Sequence, residues 1–170
     1  MKTVRKRLLI CGSALALAGL LASRYAFAEH IDISLVVKSP QGQAEASMDT
    51  TPPIGGVNPR KTVKAKAGDT IQVVWSMKSG FPHGTMKNMG VHFFVVSEEK
   101  LGQKPVPNPA GPAGVVDNSF VMDMGPKGTA HGMIKFKIAE PGNYLVRLQS
   151  ENTHDEHVHE HFSAIDLQVE

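Results

Sequence analysis

Thiols are almost missing from this chain: 170 residues contain one cysteine, Cys11, and it lies inside the first apolar run. With no second cysteine there is no disulfide staple and no thiolate zinc cage, so a folded domain must be held by its core alone. Aromatics are sparse at 6%, with one tryptophan. Beyond the first apolar run no window repeats apolar residues at the helical period, which argues against a helical fold. No nucleophile and base stand at a diagnostic spacing, and no paired acid and base signature is specific, so the sequence gives no ground for an enzyme.

The opening segment has the marks of an export signal. Lys2, Arg5, Lys6 and Arg7 form a basic start, Leu8 to Ala22 is apolar, and Ala26-Phe27-Ala28 supplies small residues at a cleavage spacing. The apolar run falls short of the roughly 20 residues that cross a bilayer. Ile10 is too bulky before Cys11 for a lipid-attachment site. Residues 1–28 are therefore expected to be a removed secretory signal and residues 29–170 a single domain, periplasmic or secreted, with no membrane association after cleavage.

Cleavage changes the charge. The segment carries five of the 18 basic residues and no acidic one, leaving 13 Lys and Arg against 16 Asp and Glu, a net charge near −3 in place of +2. Nucleic acid is excluded as a partner on that balance. Cys11 leaves with the signal.

The remainder reads as strands between turns. Ile31 to Val37 begins with alternation, and Ser39 to Pro59 is small, polar and proline-bearing, as a loop would be. Thr62 to Lys66 and Thr70 to Trp75 flank an Ala67-Gly68-Asp69 turn. His92-Phe93-Phe94-Val95-Val96 is apolar on both faces, as in the middle of a sandwich. Residues 98–118 carry four prolines and are expected to be a long loop. Met133 to Ile138 alternates, Glu140-Pro141-Gly142-Asn143 turns, Tyr144 to Leu148 is a strand, and Ile165, Leu167 and Val169 share one face. The class is all-β, a Greek-key sandwich.

The order of "KAGDTIQVVW", a loop, "HFFVV" and "GMIKFKIAEPGNYLVRL" before a final strand resembles the cupredoxins, exported copper proteins of the plastocyanin and azurin type, over most of residues 62–169. The resemblance implies a cupredoxin-like fold and places His92 at a ligand position. It breaks down at the family's cysteine, which would end the strand matching Tyr144 to Leu148; here Leu148-Gln149-Ser150 follows. A blue centre depends on a copper–thiolate bond, so that centre cannot form.

Two clusters remain as candidate ligands. "HDEHVHEHF", residues 154–162, puts His157, His159 and His161 on one face if extended, in register with Ser163, Ile165, Leu167 and Val169. Same-face neighbours lie about 7 Å apart, too far for three ligands on one flat strand, so two of them with His92 make the better set. "HGTMKNMGVH" spaces His83, Met86, Met89 and His92 by three, a loop rhythm. Met122, Met124 and Met133 read as core filler, and His131 as structural or exposed. Thioether favours Cu(I), and imidazole suits both copper states and zinc. Mixed Met and His in an exported chain without thiols point to copper.

The expected function is accordingly copper storage, delivery or tolerance through His and Met, with a metal ion and a periplasmic protein as partners. Electron transfer is a lesser variant. The alternative is a metal-free sandwich serving as a protein-binding or structural module, with the His-rich stretch a solvated loop or a pH-sensitive patch. A zinc protein would use the same histidines and ignore the methionines.

Overall fold

A computed structural model describes residues 31–47, 60–80, 84–103, 106–151 and 161–170. Among the described residues nine strands follow one another: β1 (Ile31–Ser39), β2 (Gly42–Ser47), β3 (Thr62–Ala65), β4 (Thr70–Ser79), β5 (Met86–Glu98), β6 (Gly114–Met124), β7 (Thr129–Lys137), β8 (Gly142–Glu151) and β9 (Phe162–Val169). They form two sheets, ordered β2-β1-β4-β7 and β3-β9-β8-β5-β6. The fold is an all-β sandwich, as the period-two patterning requires. After β5 and β6 the chain crosses to β7 in the opposite sheet, and β8 then returns beside β5, a Greek-key path.

Each sheet contributes one apolar face. Ile31, Ile33, Leu35 and Val37 of β1 and Ile71, Val73, Trp75 and Met77 of β4 meet Val91, Phe93 and Val95 of β5 and Ile165, Leu167 and Val169 of β9. On the other face of β5, Phe94 and Val96 join Leu145 beneath Val106 and Ala164. Burial on both faces explains why "HFFVV" carries no polar alternation. The turn after β3 uses Gly68 at φ +84, where a side chain would be strained, and Asp69 accepts the Lys66 N–H at 2.8 Å. The Tyr144 hydroxyl donates to the Glu140 carbonyl at 2.8 Å, fixing the Pro-Gly corner that opens β8.

Two expectations need correction. Residues 42–47 are a strand: Ala44 and Ala46 pack against the core, but side chains so small leave little hydrophobic pattern to read. The long loop ends at residue 113, because β6 begins at Gly114. As an edge strand, β6 is exposed along most of its length, which hid its alternation.

An ion cluster clamps the outer face of the five-stranded sheet. Arg60 donates through Nη2 to both Glu98 oxygens, at 2.7 and 2.9 Å, and through Nε to Asp166. The acid side chains are 0% and 3% exposed. Burial raises both carboxyl pKa values, and the Arg60 charge opposes that rise. Backbone amides of Gln103 and Gly102 complete the two carboxylates, so the same cluster pins the loop after β5.

Candidate metal centre

Met86 and Met89 lie in a strand and not in a loop. From Gly90 to Val95, β5 pairs residue for residue with β6, but Met89 opposes Met122 and Met86 opposes Met124. Three steps on β5 thus match two on β6, a β-bulge. Residues three apart on a regular strand face opposite ways; the extra residue returns Met86 to the face of Met89. Asn88 takes up the turn at φ 55, a left-handed conformation that asparagine tolerates better than most residues.

Asp123 holds the bulge from the solvent side. Its Oδ1 accepts the Asn88 N–H at 3.0 Å and its Oδ2 pairs with Lys87 Nζ at 2.6 Å. The Lys87 hydrogen bond, followed by the Asn88 amide, lowers the Asp123 pKa below its ordinary value.

The result is a methionine-lined interior at one end of the sandwich. Met86, Met89 and Met124 are buried, and Met122 is half-buried against them. Directly opposed residues on antiparallel strands bring their Cβ atoms to about 5 Å, so the side chains leave the backbone in two opposed pairs, Met86 with Met124 and Met89 with Met122. Met77 of β4 is buried in the same core, and the Ser79 N–H bonds the Gly128 carbonyl at 2.8 Å, joining the end of β4 to the turn after β6. Met133 is not core filler; it stands 56% exposed on β7.

His161 is at this end too, and buried. Its carbonyl accepts the Ser150 N–H at 2.9 Å, and its own N–H reaches Ser150 Oγ at 3.3 Å. Alternation gives it the face of Ser163, whose hydroxyl donates across the sandwich to the Ala46 carbonyl at 3.0 Å. The expected continuity from His161 through Ser163 to Ile165, Leu167 and Val169 is present.

His92 sits on the opposite face of the same sheet, its ring tilted at 53° against Phe94 with 4.9 Å between centroids. Its Nε2 lies 2.6 Å from Asp117 Oδ1 and its Nδ1 3.3 Å from Glu151 Oε1. Both ring nitrogens are thus turned toward carboxylates, and a metal at either would displace one. The sheet separates His92 from His161, so these two do not share a site. His83, His157 and His159 lie outside the described residues. His131 is exposed, opposite Ser76. Among the described residues, no group of three or more His, Cys, Asp or Glu side chains is placed to hold a metal ion.

Met122 and Met124 lie on the core side, as expected of core filler, and Met77, which the sequence did not single out, is buried in the same core.

No family model and no curated protein matches this chain. Among solved structures, it is similar to the CARDB domain of PF1109 from Pyrococcus furiosus, at 12% identity and a TM-score of 0.44 over 83% of this chain and 96% of that one. It is also similar to the soluble domain of PmoD from a Methylocystis species, at 12% identity and a TM-score of 0.42 over 81% of this chain and 90% of that one.

Proposed function

We propose that this is an exported, cupredoxin-like copper-binding protein that holds its cargo through Met and His, without a thiolate, for storage, delivery or tolerance. The observation that carries the reading is the bulge at Asn88, which turns Met86 and Met89 to the same face as Met122 and Met124. Bulges concentrate at sheet edges and beside functional sites, and this one is pinned by Asp123. Thioethers are neutral, soft donors and favour Cu(I) over zinc; burial keeps water from competing.

In this reading Met86, Met89, Met122 and Met124 receive Cu(I), and His161 lines the same interior. Without a thiolate the site is not a blue electron-transfer centre, and handover of the ion needs no catalytic step. The contribution of His83, His157 and His159 rests on their sequence, and His92 belongs to a separate environment.

The test is a Cu(I) titration against a competing chromophoric chelator, with Met86→Leu/Met89→Leu beside the wild type. Loss of at least tenfold in affinity, with the melting temperature of the metal-free protein preserved, is the expected result. Equal affinity in both would sink the reading. Zinc uptake unaffected by the double substitution, with no Cu(I) site, would favour a zinc protein.

A further inference from the structure

The four sheet edges are not alike. β3 has four residues and contains Lys64, β2 has six, and β7 carries Lys135 and Lys137. β6 has eleven residues and neither lysine nor proline. Short length, lysine and proline are the usual devices that keep an edge from pairing with another chain. β6 also bears three of the exposed large apolar side chains among the described residues, Val115, Phe120 and Val121. Between Val116 and Met122 it is regular, with bulges only at either end.

We infer that β6 is a homodimer interface, in which two copies pair their β6 strands antiparallel about a two-fold axis at Asn118 and join their five-stranded sheets into one. The sequence of β6 selects the occupant and the register. With Asn118 opposite the partner's Asn118, Phe120 meets the partner's Val116, Asp117 meets the partner's Ser119, and Val121 comes opposite the bulge at the partner's Val115. Each exposed apolar side chain gains an apolar neighbour, and the carboxylate gains a hydroxyl donor. Moving the axis to Ser119 sets Asp117 against the partner's Val121. Moving it to Phe120 opposes Asp117 to the partner's Asp123, a like-charge pair that is destabilising. A strand that complements itself in one register fits a second copy of this chain, since isologous pairing requires self-complementarity.

Sedimentation of the protein across a range of concentrations provides the test, with Val121→Lys and Ser119→Lys as edge-blocking variants. The wild type is expected at twice the monomer mass and both variants at the monomer mass, with the near-ultraviolet signal of Trp75 unchanged. Register is read in a Cys11→Ser background: Asn118→Cys should form an interchain disulfide, because opposed antiparallel Cα atoms lie within disulfide range. Met133→Cys, exposed on β7, should not. A wild type that remains monomeric at every concentration, variants that stay dimeric, or equal cross-linking through Met133→Cys would each overturn the inference.

Discussion

Replacing Arg60 with methionine removes the cation that pairs with two buried carboxyl groups while keeping a chain of similar length. Breaking a buried ion pair by deleting one partner costs about 3–5 kcal/mol. The lower end applies here, since the Gln103 and Gly102 amides continue to bond the acids and the carboxyls can protonate. The expected loss is therefore about 3 kcal/mol near neutral pH. Its pH dependence follows from the direction of the shifts. Burial already raises Glu98 and Asp166 above their ordinary values of 4.5 and 3.8, so the folded protein holds these protons more tightly than the unfolded chain. That contribution is fully present below the ordinary values and is lost as pH rises through the folded ones. Without Arg60 the folded pKa values rise further, so Arg60→Met is more damaging near pH 7 than near pH 4.5. Urea denaturation followed by Trp75 fluorescence at the two pH values reads the difference. Replacing all three groups, Arg60→Met with Glu98→Gln and Asp166→Asn, should recover much of the loss, because no charge is then left buried. An identical loss at both pH values would refute the reasoning and leave only the packing of the Arg60 stem.

Three further substitutions probe other parts of the fold. In Gly132→Ala the new Cβ would lie 2.5 Å from Trp75 Cζ2, so the indole must move; about 1–3 kcal/mol of destabilisation is expected from overpacking, with a red-shifted Trp75 emission, and an unshifted spectrum would argue against the contact. Asn88→Val places a β-branched residue at φ 55, which should cost about 1–2 kcal/mol and, on the proposed function, weaken Cu(I) binding by disturbing the bulge; unchanged stability in urea and unchanged Cu(I) affinity would remove the bulge from the account. Tyr144→Phe loses the hydrogen bond to the Glu140 carbonyl and should lower stability by about 0.5–1.5 kcal/mol, measured by thermal unfolding.

The core strands were legible because their patterns are strong. Ile165, Leu167 and Val169 alternate, and Phe93 to Val96 announces a strand covered on both sides. β2 was not legible, since Ala44 and Ala46 bury too little apolar surface to mark a period. The methionines misled for a geometric reason: a spacing of three belongs to no regular strand, and a bulge that absorbs the extra residue shows only in the pairing of β5 with β6. His92 illustrates the limit from the other side. A segment apolar on both faces does not say which face its first residue takes, so its separation from His161 became visible only with the register.

The placement of β9 also governs the order in which the molecule can be assembled. Although it follows the other described strands in sequence, it lies between β3, which runs parallel to it, and β8, and it supplies Asp166 to the Arg60 clamp. Until residues 162–169 are available, β3 has no neighbour in its sheet and Arg60 lacks one of its two carboxylates. Such long-range closure makes folding slow, and it commits the sandwich to closing late, after the eight other described strands have been delivered. A chain passing through a narrow channel would stay threadable to the end and would close its methionine-lined interior only on the far side.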